Sequence, residues 1–355
     1  MKTLAEILLW LCEVRSPIGE EQDLCNQLEA RLGALGLAQP LRRYGDSLVV
    51  PLSRGTGGPH VVLAGHLDVV RTEHDGPARI EGDRLYGAGA ADMKSGLALM
   101  LDLAFAAKHP ALDLTLVFYA REEGPYAENE LGVVLEQDRE LLRADLAVCL
   151  EPSDNKLQLG CSGSVQARVA FAGRTAHSAR PWQGENAIHK AHRLLARLSA
   201  LEPEPIETDG LTYVRVTSAT LASGGRARNI IPDLFELNLN HRFGPDSSLP
   251  EACQRVKDLV QGEADVEFID LSPAALPHRH HPLIQALAES GVKAVEPKQA
   301  WTDVARFAEL GVVAVNFGPG TQSQAHQRNE WTFLPDLEVG QRILSTWLNK
   351  ISVAS

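Results

Sequence analysis

The chain has 355 residues, 44% of them hydrophobic and 23% charged, and carries a formal net charge of −12 at pH 7. That acidic balance argues against a nucleic-acid binder, which needs a basic face to meet phosphates, and no apolar stretch approaches the ~20 residues that span a bilayer. Five cysteines, at 12, 25, 149, 161 and 253, form no Cys-x-x-Cys pair. A disulfide framework and a thiolate metal site are therefore disfavoured, a reducing cytoplasm is the expected compartment, and any metal must be held by histidines and carboxylates.

The chain opens on Leu8-Leu9-Trp10-Leu11, an apolar run that Glu6 and Glu13 interrupt and that no small-residue cleavage site follows. The spacing of Leu4, Ile7, Leu8 and Leu11 predicts an amphipathic helix within Met1–Val14 rather than a signal peptide. His60 to Ala64, ending at Gly65, reads as a strand buried on both faces. A helix is predicted over Gly96–Lys108, a strand over Leu112–Ala120 and another over Leu146–Leu150. Strand, helix and strand in alternation argue for an α/β sheet.

The pattern changes near Gly163. Val165, Ala167, Val169 and Phe171 alternate with more polar neighbours. A helix follows over Glu185–Leu201, then strands over Leu211–Leu221 and Leu234–Phe243, a helix over Leu249–Val260 and a strand over Val266–Leu271. That order, β-α-β-β-α-β, is the ferredoxin-like split unit. Ser272 to Pro282, with the run His278-Arg279-His280-His281, reads as a linker to which no function is assigned. A strand over Val312–Asn316 and a helix over Asp336–Ile351 restore the α/β character. The expected fold is thus two α/β domains: a catalytic domain with a central mixed sheet from residues 1–163 and 276–355, and an inserted domain from 164–275.

Polar clusters stand just past the predicted strand ends, where open α/β sheets place their sites. Gly65-His66-Leu67-Asp68 sets an imidazole and a carboxylate two residues apart, a spacing that lets Asp68 fix the tautomer of His66. Glycines and alanines crowd before Asp92 in Gly87-Ala88-Gly89-Ala90-Ala91-Asp92-Met93-Lys94-Ser95-Gly96; Asp92 also suits a helix N-cap, and the Gly-Lys-Ser/Thr arrangement of a phosphate loop is absent. Glu122-Glu123-Gly124 and Glu151-Pro152 follow two strands, and His326 lies on a late loop after Gly318-Pro319-Gly320. Each alone is as compatible with a solvated turn. Together His66, Asp92, Glu123, Glu151 and His326 supply five nitrogen and oxygen donors, enough for two divalent cations with Asp92 between them. Glu122 is left over to take a proton from an activated water. Imidazole plus carboxylate suits Zn2+, with Co2+ or Mn2+ as alternatives.

These motifs resemble the metallopeptidases that include the aminoacylases, acetylornithine deacetylase, glutamate carboxypeptidase and succinyl-diaminopimelate desuccinylase. The resemblance implies that His66 and Glu151 hold one ion, that Glu123 and His326 hold the other, and that Asp92 bridges. It makes Asp68 the residue that orients His66 and Glu122 the general base. It also makes the inserted domain a lid and dimerisation module of a homodimer. There His177, within Gly173-Arg174-Thr175-Ala176-His177-Ser178, matches the oxyanion-stabilising lid histidine, and Asn229 and Arg242 match substrate contacts. Within the family, Gly160-Cys161-Ser162-Gly163, Ala176 to Trp182, Gly184 to His189, Trp301 to Phe307 and Val315 to Gly320 look most like desuccinylases of the actinobacterial type. That likeness implies an N-succinyl dicarboxylic amide as substrate, with Arg180, Arg242, Thr302 and the Gly318 loop as further contacts. Acetylornithine deacetylase and related N-acyl-amino-acid deacylases or dipeptidases are the alternatives. Two departures stand out: Arg121 where the family has a small polar residue, and Ser162 where many desuccinylases carry Arg.

Overall fold

The computed structural model describes residues 3–37, 39–55, 57–106 and 111–353. It divides into two compact units: Met1–Gly160 with Pro277–Pro297 and Thr302–Ser355, and Cys161–Leu276 with Lys298–Trp301.

The first unit is built on an eight-stranded mixed sheet. In spatial order its strands are Arg42–Tyr44, Ser47–Ser53, Asp113–Tyr119, His60–His66, Leu146–Cys149, Ala314–Asn316, Leu157–Leu159 and Val295–Pro297. The four central strands, from Asp113–Tyr119 to Ala314–Asn316, run parallel, and antiparallel neighbours flank them on both sides. His60–His66 is buried along its whole length, as expected of a parallel strand covered on both faces. The helix Lys94–Phe105 lies against it at close range. A Cβ on Gly65 would come within 2.6 Å of Leu97 Cδ2, and one on Gly96 within 2.3 Å of the Leu150 carbonyl oxygen. That helix starts two residues before the predicted one, and Ala107 and Lys108 fall outside the described residues. The first helix, Leu4–Glu13, carries a Thr3/Glu6 capping box and buries Ile7, Leu8, Leu11 and Cys12; Met1 and Lys2 lie outside the described residues. The closing helix is Leu334–Val353. Among the described residues no helix is long and apolar enough to cross a membrane.

The second unit is a five-stranded antiparallel sheet in the order Glu204–Thr208, Leu211–Gly224, Leu234–Phe243, Gly163–Ala172, Asp265–Ser272. Without its first strand this is the ferredoxin-like arrangement, and the helix Leu249–Val260 packs on it. Val165, Ala167, Val169, Phe171, Leu237 and Leu239 alternate into one core with Leu194 and Val256. Two details differ from the sequence expectation. The helix expected over 185–201 is two short helices, Ala187–Lys190 and His192–Ser199. The edge strand Glu204–Thr208 was not anticipated. It joins Leu211 through Asp209-Gly210, both at positive φ, which is the two-residue hairpin turn that an Asp-Gly pair favours. The His278–His281 run forms a turn, closed by the His281 N–H on the His278 carbonyl at 2.9 Å, ahead of the helix Pro282–Ala288.

Candidate metal centre

The first unit gathers its polar residues at the carboxyl ends of the central parallel strands. His66 is the last residue of His60–His66 and is buried. Its Nε2 lies 3.3 Å from Asp92 Oδ1. His326 comes from the late loop, and its Nε2 lies 3.6 Å from the other Asp92 oxygen, Oδ2, and 2.9 Å from Glu123 Oε1. The two oxygens of one carboxylate thus face two different imidazoles. Three overlapping groups offer donor atoms within 4.8 Å of one another: His66, Asp92 and Glu151; His66, Glu122 and Glu123; and Asp92, Glu123 and His326. All five expected ligand positions and Glu122 therefore converge, from strand ends and loops that are more than 200 residues apart in the chain.

The electrostatics follow from crowding. Burial opposes charge on His66, but Asp92, Asp68, Glu151 and Glu122 around it outweigh that and hold its pKa well above the usual value. Glu122 is pushed well above the carboxylate range, first by burial and then by repulsion from Glu151 and Glu123, with His66 pulling the other way. His326 is raised to about 9, chiefly by its hydrogen bond to Glu123. Carboxylates packed this closely need positive charge among them, and the donor set has no sulfur. Such a set fits borderline and hard divalent cations.

Asp68 is fully buried, and it meets His66 through its backbone as well as its side chain. His66 Nδ1 donates to the Asp68 backbone carbonyl at 2.9 Å, whereas the Asp68 carboxylate is 3.7 Å from that nitrogen. The carboxylate oxygens instead accept the backbone N–H groups of Glu122 at 3.0 Å and Glu123 at 2.9 Å. Arg121 precedes them at φ 63°; burial raises the Glu21 carboxyl, with the Arg121 charge opposing it weakly, and Glu122 stays raised.

Thr302 is buried in the first unit at the approach to the helix Val304–Glu309. Gly318 packs its backbone on Leu150 and Glu151, so a Cβ there would stand 2.5 Å from both carbonyl oxygens. The other sequence-chosen residues belong to the second unit. The short strand Ala176–His177 pairs with Ile230–Ile231, and the Ser178 N–H donates to the Asn229 carbonyl at 2.9 Å, which sets Asn229 beside the His177 segment. The Arg180 N–H returns to the His177 carbonyl at 2.8 Å. Arg242, on Leu234–Phe243, donates from Nε to Asn240 at 3.0 Å. Ser162 is buried, its N–H bonded to the Lys298 carbonyl.

Two buried charges that frame the centre carried no role in the sequence reading. Lys94 donates from Nζ to the carbonyls of Leu11 and Val14, both at 3.0 Å. Glu330 accepts three backbone N–H groups from the Asp92 loop, and burial raises its carboxyl to about 7. Nothing local in the sequence marks Lys94. For Glu330 the one signal is its place four residues after His326, just before a strand.

Comparison with known proteins agrees with this geometry. The profile of peptidase family M20/M25/M40 matches residues 62–350. A succinyl-diaminopimelate desuccinylase of Corynebacterium glutamicum is 35% identical over 349 residues, covering 96% of this chain and 94% of its own. A Mycobacterium tuberculosis chain with the provisional name succinyl-diaminopimelate desuccinylase DapE is 40% identical over 326 residues, 92% of each. Among solved structures, a tripeptidase from Staphylococcus aureus superposes with a TM-score of 0.81 at 20% identity, covering 99% of this chain and 98% of that one. The chain belongs to peptidase family M20/M25/M40 and is a metal-dependent amide hydrolase of that family.

Proposed function

We propose that the protein hydrolyses N-succinyl-LL-2,6-diaminoheptanedioate to LL-2,6-diaminoheptanedioate and succinate, with two divalent cations, Zn2+ in the first place and Co2+ or Mn2+ as substitutes. The observation that carries the two-cation reading is the split of Asp92: Oδ1 faces His66, with Glu151 in the same group, and Oδ2 faces His326 and Glu123. The succinyl substrate is supported by the two relatives of that name, at 35% and 40% identity over most of the chain.

In this reading His66 and Glu151 hold one cation, Glu123 and His326 the other, and Asp92 both. When bound, the cations supply Lewis-acid polarisation of the amide carbonyl and acidify a water. Glu122 does the proton work. Its buried carboxylate takes one proton as the water oxygen adds to the carbonyl carbon. It then delivers that proton to the departing amine nitrogen as the C–N bond breaks. A carboxylate whose pKa is lifted by burial and like charges is suited to both halves of that transfer. Asp68 keeps Glu122 and Glu123 in place through their backbone N–H groups. The second unit serves as lid and as dimer interface, with His177 stabilising the developing oxyanion. Asn229, Arg180, Arg242, Thr302 and the Gly318 loop contact the dicarboxylic substrate, where guanidinium groups pair well with carboxylates. The five cysteines are all free, in keeping with a cytoplasmic enzyme.

The test is a panel of N-acyl amino acids and dipeptides, assayed after metal removal and readdition. Succinate release from the succinyl compound should show the highest kcat/KM. A clear preference for N-acetylornithine or for dipeptides would replace the succinyl reading while leaving the hydrolase.

A further inference from the structure

We propose that Glu330 is a positioning residue that locks the Asp92 loop to the His326 loop and so sets the spacing of two ligands of one cation; the inference rests on the metal-centre reading above. The loop Gly87–Asp92 is neither helix nor strand, so its N–H groups need acceptors from elsewhere. A single buried carboxylate supplies three of them, beside the Ala90 N–H that turns back to the Gly87 carbonyl. Glu330 Oε2 accepts from Gly89 at 2.9 Å, and Oε1 accepts from Ala91 at 2.7 Å and from Asp92 itself at 2.8 Å. Glu330 is 2% exposed, so water cannot readily take over those bonds. The loop has little freedom to respond, because Gly89 sits at φ +77° and a Cβ there would stand 2.5 Å from Val69 Cγ1.

The same residue is fixed from its own side. Its carbonyl accepts the Gly87 N–H at 3.0 Å, and the next residue, Trp331, enters a strand paired with Tyr86. Just before it, Asn329 exchanges two hydrogen bonds with Asp75, at 2.6 and 2.7 Å. Only three residues separate Glu330 from His326. One short segment therefore presents an imidazole to Asp92 Oδ2 and Glu123 while its far end grips the backbone that carries Asp92. Neither loop can shift without the other, which turns two flexible connections into one frame.

The role is geometric, and it ranks the variants. Glu330→Gln keeps the length and one oxygen, so it retains the Ala91 and Asp92 bonds and loses the Gly89 bond. Glu330→Asp keeps the charge but is one methylene too short for the cage. Outer partners of this kind govern metal affinity by about 10–100-fold. The experiment titrates metal-free wild type, Glu330→Gln and Glu330→Asp with Co2+, followed by calorimetry and by the visible Co2+ spectrum. Amide hydrogen exchange and thermal unfolding are recorded on the metal-free forms. The expected order of affinity for the more weakly held ion is wild type, then Gln about tenfold lower, then Asp lower again, with an altered Co2+ spectrum. Exchange should be faster at Gly89 in the Gln variant, faster at Gly89, Ala91 and Asp92 in the Asp variant, and unchanged in the central strands of both. Variants that load both ions like wild type, or an Asp variant that binds better than the Gln variant, would overturn the proposal. So would a metal-free Gln variant that unfolds as a whole, since Glu330 would then hold the fold rather than the loop. A wild-type protein that takes up no Co2+ would instead refute the metal-centre reading itself.

Discussion

Replacing Asp68 by Asn separates two accounts of this residue. If its carboxylate orients His66, the substitution should weaken the cation held by His66 and Glu151. The geometry says otherwise: His66 Nδ1 already donates to the Asp68 carbonyl, which Asn retains, and the carboxylate serves the N–H groups of Glu122 and Glu123. In Asp68→Asn one of those N–H groups meets an NH2 donor. The loss is one charge-assisted hydrogen bond, about 1.5–3 kcal/mol, and a buried donor is left unmet, about 1–3 kcal/mol more. Relief of repulsion between Asp68 and Glu21 offsets part of this, so a net cost of roughly 2–4 kcal/mol is expected. For a unit of this size that lowers the melting temperature by roughly 4–16 °C. If the displaced backbone carries the base and a ligand, as proposed, kcat should fall by about 10²-fold, and the ion assigned to Glu123 and His326 should weaken more than the one assigned to His66 and Glu151. Differential scanning calorimetry, stepwise metal titration and steady-state kinetics on the same preparation give all three quantities. A variant that loses the His66 ion selectively, with the other ion and the melting temperature unchanged, would refute the backbone role.

Three further outcomes follow from particular contacts. Glu122→Gln should lower kcat by about 10²–10⁴-fold with unchanged metal stoichiometry by atomic absorption; activity near wild type would remove Glu122 as base. Gly96→Ala places a methyl 2.3 Å from the Leu150 carbonyl oxygen, the residue before Glu151. It should cost about 1–3 kcal/mol by urea unfolding and weaken metal binding as well, and an undisturbed variant would show that the helix can retreat freely. His241 in the second unit is held down to about 4, against 6.5, first by burial and then by Arg215 and Arg255. The unfolded ring binds its proton first, so this stability is complete above pH 6.5 and is lost as pH falls toward 4, about 2 kcal/mol of it between pH 7.5 and 5. Urea unfolding of His241→Gln should show a shallower pH slope by that amount, and equal slopes would contradict the assignment.

Much of the first unit was legible because parallel strands covered on both faces read as unbroken apolar runs. His60–His66 and Leu146–Cys149 are buried throughout, and their ends point to the polar residues that follow. That placed His66, Glu122, Glu123 and Glu151 just past strand ends, and it was their joint occurrence with Asp92 and His326, together with the family resemblance, that marked them as candidates. The edge strand Glu204–Thr208 escaped because an edge faces solvent: its sequence, Glu-Pro-Ile-Glu-Thr, is exposed or half-buried along its length and reads as a loop. Only the Asp209-Gly210 turn marked it. The break in the helix expected over 185–201 was hidden by a stripe of apolar residues wider than the buried face, since Ile188 and Leu195 lie exposed while Ala187, Ala191 and Leu194 are buried.

Lys94, Asp68 and Glu330 mark where local pattern stops being informative. The type of a charged residue suggests surface or ligand, and each of these is neither exposed nor aimed foremost at a cation. Lys94 satisfies two carbonyls of the first helix and its C-terminal exit. Asp68 and Glu330 satisfy N–H groups 54 and 238 residues away along the chain. Loops that carry ligands cannot satisfy their own backbone as helices and strands do, so a centre assembled from loops needs buried charges to do it for them. On the proposed reading, strand ends fix where the candidate ligands start, while these inward-facing charges fix where they point. A substitution among the charges should act on metal affinity and kcat before it acts on the sheet, because the loops they frame leave the buried strands beneath them intact.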